Sequence, residues 1–436
     1  QILQRGKLVS LPLSSGQDGM IYYVLPQNEQ EREHVCQLLA HDLPERSIFI
    51  VGKWDKNALI ELQSHLEQID ALSFLFKELE SSKQPYKADR HIVLLWLRDR
   101  EKAVHSLLLR LFTFEQIQVY PANIEGSVHS KADLSRLVSN LCLRYFYLTP
   151  VWNNEMINKH KLTKQIQKAR QKLVRALLKP FLEPQLGLTG TGPEVAIYRS
   201  LLRQTKIIVE LEEECRVNLL SEFLDPGFAE LMRRLRSFFD QSGNEIENAE
   251  KGVPLEKLLD LMLKPPFGVR GGVIPIIIAL FVHQNLKEIY MTDSNNEEVP
   301  WTAENIDMAI DDCQHYKVYR YDWSVEKGQL CEALTNIFQD YIDPDDQSGP
   351  SRRLVNAMRH WLISLPRYSR ETRRISKRSR EIRRLLKHFN MPSSELLFKQ
   401  IPAVFGTSLE TSEIVADIAE EIKQVKLEIE GHLYSV

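Results

Sequence analysis

The sequence predicts a mixed, mainly α protein built from several domains. Strand-like and helix-like runs alternate over roughly the first quarter, and amphipathic helical periodicity fills most of the rest. Polar stretches at 241–254 and 343–350 punctuate the pattern. A chain of 436 residues, 43% hydrophobic and 26% charged, holds two to four domains with real cores. The reading is a small α/β domain over 1–130, a helical domain over 131–240, a winged-helix-like module over 251–342, and a basic helical segment with a C-terminal helix over 351–436.

Met20-Ile-Tyr-Tyr-Val-Leu and Ser47-Ile-Phe-Ile-Val are short apolar runs rich in β-branched and aromatic residues, as buried strands require. Between them, 29–40 is charged and periodic, with Val35, Leu38 and Leu39 on one side of a helix. Residues 56–79 read as helix again, while His91-Ile-Val-Leu-Leu-Trp suits either a third strand or the start of a buried helix. Strands alternating with helices predict a small parallel layer. Such layers often hold nucleotides, yet Pro26-Gln-Asn-Glu-Gln lacks glycine and Val51-Gly-Lys-Trp-Asp does not complete a phosphate loop. No nucleotide site is expected there.

From 134 to 239 the strand signals fade, and the segment reads as all-helical. Gly187-Leu-Thr-Gly-Thr-Gly-Pro has no following Lys and no preceding strand, so it is a helix–helix connector with Pro193 at the first helical position. After the first linker come an amphipathic helix (255–263), a Pro265-Pro-Phe-Gly turn and a very apolar helix (272–284) with Pro275 in its first turn. A strand at Glu288-Ile-Tyr-Met, a helix over 302–313 and a strand at Tyr316-Lys-Val-Tyr-Arg-Tyr complete an approximate winged helix. Its apolar helix is nearly uncharged and 292–312 is acidic, so it should pack on protein rather than read DNA. Residues 351–436 are helical. On the last helix, 411–432, Ile414, Ile418, Ile422, Val425 and Ile429 form a narrow stripe. Glu410, Glu413, Asp417, Glu420 and Glu421 precede Lys423 and Lys426, an order that suits the helix macrodipole. The stripe either packs in its own domain or docks on a partner helix.

The formal charge of −3 excludes a bulk polycation but hides an asymmetry. Residues 351–390 contain thirteen Lys/Arg and two Glu, so the other 396 residues carry 43 basic and 57 acidic groups. On a helix starting near Ser369, the residues Ile375, Ile382, Leu386 and Phe389 make an apolar stripe. Arg370, Arg373, Lys377, Arg380, Arg384 and Lys387 fall opposite. Such a ridge repels itself and suits phosphate, whose oxygens match the guanidinium fork. A weaker basic face follows 158–179, where Lys164, Lys168, Lys172 and Arg175 flank a stripe of Leu162, Ile166, Ala169, Leu173 and Leu177. Both faces could instead pair with acidic surfaces.

Chemistry-bearing motifs are missing. The five cysteines have no C-x-x-C spacing, which predicts reduced, mostly buried thiols in a cytoplasmic protein. The most apolar run, 273–282, is ten residues, short of the ~20 a bilayer demands. Histidines are scattered without H-E-x-x-H, and no G-x-S-x-G occurs. Asp343, Asp345 and Asp346 lack the Gly and Glu of a calcium loop. Asp311, Asp312 and His315 near Cys313 fit a helix end, and Asn153-Asn-Glu-Met-Ile-Asn fits a cap for the basic helix after it. No catalytic residue, metal ligand or resident cofactor is expected. A start at Gln1 and a stop in a helical pattern read as a piece of something longer.

Tyr147-Leu-Thr-Pro-Val-Trp-Asn-Asn-Glu-Met-Ile-Asn, the Lys-rich helix after it and Leu186-Gly-Leu-Thr-Gly-Thr-Gly-Pro-Glu-Val-Ala-Ile-Tyr resemble the non-P-loop region of very large bacterial phage-defence ATPases, among them BREX-type and related restriction-system proteins. Lys264-Pro-Pro-Phe-Gly-Val-Arg-Gly-Gly-Val-Ile-Pro and Leu365-Pro-Arg-Tyr-Ser-Arg-Glu-Thr-Arg-Arg-Ile-Ser are similar to later stretches of such proteins. The likeness runs from 146 to 405 in matching order. It implies DNA-linked, ATP-driven antiviral defence, with other domains or subunits of a defence complex as partners. It transfers no catalytic residue, because the Walker motifs have no counterpart here; ATP and Mg would belong to a missing domain. The sequence therefore predicts a non-catalytic, DNA-associating region of a P-loop ATPase, with double-stranded DNA favoured and no membrane. Its alternative is a protein–protein scaffold or regulatory module without nucleic-acid contact.

Overall fold

A computed structural model describes residues 3–4, 7–8, 17–41, 43–81, 87–121, 128–211, 214–219, 224–244, 252–320, 323–344, 346, 348–388, 391–409 and 411–431. These are mainly helical, with four small sheets. The chain divides into two compact units, Gln1–Tyr147 and Leu148–Val436.

The first unit contains a short antiparallel pair, β1 (Leu3–Gln4) and β2 (Lys7–Leu8). Then follow β3 (Met20–Val24), α1 (Glu29–His41), β4 (Ser47–Val51), α2 (Lys56–Ser81), α3 (Lys87–Leu111), β5 (Gln118–Tyr120) and α4 (Lys131–Tyr145). β3 and β4 are parallel, with Tyr22 level with Phe49, and β5 joins β4 antiparallel. Every residue of β4 is buried, because both faces of this central strand are covered. Phe49 and Val51 meet Val35 and Leu39 of α1, while Ile48 and Ile50 meet Leu137 of α4.

Two expectations for this unit are corrected, and one open reading is decided. The run from His91 to Trp96, a strand or the start of a helix by sequence, lies inside α3. Val93, Leu97, Val104, Leu107 and Leu111 recur at spacings of three and four or their sum, a pattern that only a helix gathers on one side. The third strand is instead β5, so the layer is mixed rather than parallel. The boundary expected at 130 also falls too early, since α4 supplies the cover for the sheet's second face.

The second unit begins with α5 (Lys164–Leu177), α6 (Pro193–Tyr198), β6 (Ile208–Glu210), β7 (Cys215–Val217), α7 (Pro226–Asn244), β8 (Val253–Pro254) and α8 (Leu255–Leu263). It continues through α9 (Ile274–Asn285), β9 (Ile289–Thr292), β10 (Glu298–Val299), α10 (Ala303–Asp311) and β11 (Lys317–Arg320). Pro193 opens α6 and Pro275 sits in the first turn of α9, as the sequence requires. The segment read as all-helical contains the antiparallel hairpin β6–β7, whose three-residue strands are too short to register as alternation. The later strands form one antiparallel sheet in the order β10-β9-β11-β8.

A single core running from Trp152 to Val318 joins what were expected to be two domains. The cause is α9, buried at Ile274, Ile276, Ile277, Leu280 and Val282. A helix apolar on all sides must be enclosed on all sides, so α5 and α10 close over it. At Gly272, just before α9, an added Cβ would stand 2.2 Å from the Ile157 carbonyl oxygen, and the Gly272 N–H donates to the Lys159 carbonyl at 2.8 Å.

The remaining helices are α11 (Val325–Phe338), α12 (Pro350–Ser364), α13 (Arg367–Glu371), α14 (Lys377–Lys387), α15 (Ser393–Glu395), α16 (Ile401–Phe405) and α17 (Ser412–Gly431). They enclose a second core around Trp361, whose indole N–H donates to Glu430 at 2.7 Å. α11 belongs to this core and not to the module expected to end at 342. On α17, Ile418, Ile422, Val425 and Ile429 are buried and Ile414 is half-buried. The isoleucine stripe is thus part of the chain's own core rather than a docking face.

Two measurements check this account. Gly272→Ala should lower the midpoint of chemical unfolding by driving the two loops apart, because the contact is backbone and cannot rotate away. On α7, Arg233 and Arg234 clasp Glu230 at 2.7 and 2.8 Å and hold its carboxyl at about 2. This folded value lies below the unfolded one, so the stabilisation is complete above the ordinary carboxylate range and fades as pH falls toward 2. Glu230→Gln should therefore destabilise the protein at neutral pH, and its melting difference from the parent should shrink on acidification.

Candidate nucleic-acid interface

The basic helix expected to start near Ser369 is two helices. Ser376 breaks the run: its hydroxyl accepts the Ser379 N–H and starts α14. Glu428 of α17 braces that start, accepting from the Ser376 N–H at 2.7 Å and from the Ser379 hydroxyl. Ile375, Ile382 and Leu386 of the expected stripe are buried; Phe389, like Asp345 and Glu410, lies outside the described residues.

The cations of this segment separate into two groups. Arg383 points inward and donates to the Ser369 and Thr372 carbonyls at 3.0 and 2.7 Å, closing the negative end of α13. Burial, with the nearby Arg380 charge, pushes its guanidinium below the ordinary value. Arg359 does the same for α14 through the Leu386 and His388 carbonyls, at 3.3 and 2.8 Å. Lys387 bonds the Arg370 carbonyl at 3.1 Å, Arg384 pairs with Glu381, and Arg378 pairs with Glu421 at 3.0 Å. Arg370 is half-buried, with its Nε unpartnered.

Arg373, Arg374, Lys377 and Arg380 remain. All four are exposed and none of their side chains has a hydrogen bond or ion pair among the described residues. They occupy the turn between α13 and α14 and the first turn of α14, so four cations crowd eight residues. Of the six ridge positions expected from sequence, this cluster keeps Arg373, Lys377 and Arg380. Arg374 was missed because the assumed continuous helix turned it off the ridge.

The second basic face divides similarly. Arg170 is buried against Asp307 at 2.7 Å, and Gln171 donates to the other Asp307 oxygen at 2.8 Å. Lys172 pairs with Glu194 at 2.9 Å and Arg175 with Glu304. The Lys172 hydrogen bond holds the Glu194 carboxyl below its ordinary range. Partial burial opposes ionised Glu304, and the Arg175 hydrogen bond outweighs it to leave a net lowering. The C-terminal half of α5 is therefore a seam to α6 and α10. Lys164 and Lys168 stay exposed and unpaired among the described residues, beside exposed Lys159 and Lys161. Thr163 caps α5, not the asparagines. Asn154 is buried instead, donating to the Ser200 hydroxyl at 2.8 Å and accepting from the Met156 N–H at 3.0 Å.

Among the described residues no group of three or more His, Cys, Asp or Glu is placed to hold a metal, and no helix is long and apolar enough to cross a membrane. None of the five cysteines is in a disulfide, but only Cys215 and Cys331 are buried, fewer than expected. Scanned against protein-family models, curated proteins and solved structures, the chain matches none.

The division of cations is open to measurement. Arg383→Ala strands two carbonyls and should cost about 1–3 kcal/mol in urea unfolding. Arg373→Ala and Lys377→Ala should each stay within about 0.5 kcal/mol of the parent.

Proposed function

We propose that this chain is a non-catalytic region that associates with double-stranded DNA through its phosphate backbone. The observation that carries the reading is the cluster of Arg373, Arg374, Lys377 and Arg380, exposed and unpaired on the α13–α14 turn. Cations held together without counter-charges repel one another, and a polyanion relieves that repulsion while releasing its own counterions. Three of the four are arginines, which suits bidentate contact with phosphate. Lys164 and Lys168 are a second, smaller set on the same unit.

The run β8–α8–α9–β9, closed by β11 between β8 and β9, supports a winged-helix-like module with β10 and α10 inserted in its wing. In that module α9 would occupy the position of a reading helix, but its side chains are buried. The module is then a packing element, and backbone contact without base readout is the mode left to the surface clusters. The wider setting, a large prokaryotic antiviral-defence ATPase in the cytoplasm with its P-loop motor elsewhere, rests on the sequence resemblance.

Fluorescence anisotropy on a duplex across a salt series tests the DNA reading. Four phosphate contacts give a log–log slope of about −3.6. Converting all four residues to Glu should abolish binding without lowering the melting temperature. Absence of low-salt binding by the parent, or full affinity in the variant, would leave the scaffold reading in its place.

A further inference from the structure

Strand β3 ends the β3-β4-β5 layer, and its free edge carries none of the features that usually keep strands of different molecules apart. Met20-Ile-Tyr-Tyr-Val has no charge, no proline and no bulge, whereas edge strands are ordinarily guarded by one of these. The parallel ladder to β4 uses the backbone groups of alternate residues. The Met20 N–H donates to the Arg46 carbonyl at 3.0 Å, and the Val24 carbonyl accepts from the Gly52 N–H at 2.9 Å. That phase turns the N–H and C=O of Met20, Tyr22 and Val24 toward β4 and those of Ile21 and Tyr23 outward. The outward groups have no partner among the described residues.

The side chains are as open as the backbone. Ile21 and Tyr23 are 45% and 58% exposed, on the sheet face they share with Ile48 and Ile50. α4 covers that face over β4 and β5, packing Leu137 on Ile48 and Ile50. Beside β3 it leaves a groove of about 280 Å³ lined by Met20, Ile21, Ile48, Val138, Leu141 and Tyr145. On the opposite face α1 covers Tyr22 and Val24 and reaches as far as β5, where Cys36 donates to Gln118 Oε1 at 2.8 Å. Both covering helices extend toward β5, away from the β3 edge.

This edge is complementary to itself, which identifies its occupant. A two-fold axis normal to the sheet at Tyr22 lays a second β3 antiparallel to the first. Ile21 then stands level with Tyr23 of the copy, Met20 with Val24, and Tyr22 with its own counterpart. Ile21 and Tyr23, whose groups point outward, fall opposite one another and exchange both hydrogen bonds, once on each side of the axis. Tyr22, whose groups point to β4, falls at the non-bonded position that antiparallel pairing places between them. No like charges meet along the strand, and each Ile–Tyr pair sets a β-branched side chain against an aromatic one, a favourable cross-strand combination. We propose that β3 is a dimerisation edge, through which two copies join in an isologous contact and form one six-stranded sheet, β5-β4-β3-β3-β4-β5. Ile21 and Tyr23 of both copies make a continuous apolar strip, and each copy closes the open side of the other's groove.

Light scattering and sedimentation velocity on the full chain test this directly. The mass should rise with concentration from 50.7 kDa toward twice that value. Tyr23→Pro is the diagnostic variant, because the fold makes no use of the Tyr23 N–H and edge strands accept proline where the N–H faces solvent. It should hold the chain at the single-chain mass with unchanged circular dichroism. A second pair of variants keeps the test decisive if that proline disturbs folding. Ile21→Glu alone and Tyr23→Lys alone each set an unpaired charge against an apolar neighbour and should weaken the dimer about tenfold or more. Mixed in equal amounts, they bring the new carboxylate opposite the new ammonium and should restore a mixed dimer. A parent that stays monomeric at high concentration overturns the proposal and leaves a foreign extended segment as the occupant of the edge. A dimer indifferent to Tyr23→Pro, or charge variants that fail to rescue each other, overturns it as well.

Discussion

A guanidinium taken out of water must find its counter-charge in the same place, and Arg170 imposes that condition on the second unit. Its partner Asp307 lies on α10, and its Nη1 also reaches the Gly272 carbonyl at 3.5 Å. One side chain therefore ties α5 to α10 and to the loop that launches α9. The segments around 147–160, 186–200 and 264–275 are joined by further hydrogen bonds: Leu148 donates to the Pro266 carbonyl, Gly272 to the Lys159 carbonyl, and Asn154 to Ser200. Removing one partner of such a buried pair strands a charge, a penalty of about 3–5 kcal/mol. These segments hold an architecture together, which gives their distinctive residues a structural role.

The same economy of charge governs the C-terminal core. Arg359 and Arg383 satisfy carbonyls at helix ends, which frees α13 and α14 to pack through Ile375, Ile382 and Leu386. Glu428 takes the opposite role at the start of α14. Once these structural charges are subtracted, the excess read from composition contracts from a thirteen-residue field to a four-residue patch. A local charge count overstates a binding surface wherever arginines serve as caps.

Helix and strand identities were legible where periodicity was long or strong, as for β3, β4, α1, α8, α9 and α17. What escaped the sequence has physical causes. The β6–β7 hairpin is too short to alternate, and His91 to Trp96 is an apolar run that strands and buried helices share. Domain limits at 130 and 240 failed because composition reveals linkers but not which core a helix will cover; α4 and α9 were assigned by sequence position, and burial assigned them elsewhere. For the candidate site, helical spacing located the region. One continuous helix was read through Ser376, whose hydroxyl caps α14, and that break admits Arg374 to the cluster; Arg384 and Lys387 leave it because Glu381 and the Arg370 carbonyl take them.

Charge segregation recurs at two scales, and the scales have different consequences. On the α13–α14 turn four cations share one sign, so they favour a foreign polyanion and cannot pair among themselves. On the α2–α3 hairpin the two signs are divided between adjacent helices, where Glu61 meets Arg110 at 3.9 Å and Glu80 meets Arg90 at 2.8 Å. Opposite charges placed on neighbouring helices satisfy one another and leave little net field, whereas like charges confined to one turn keep theirs. Segregation by sign therefore stabilises a helical pair in one place and leaves an unbalanced surface in the other.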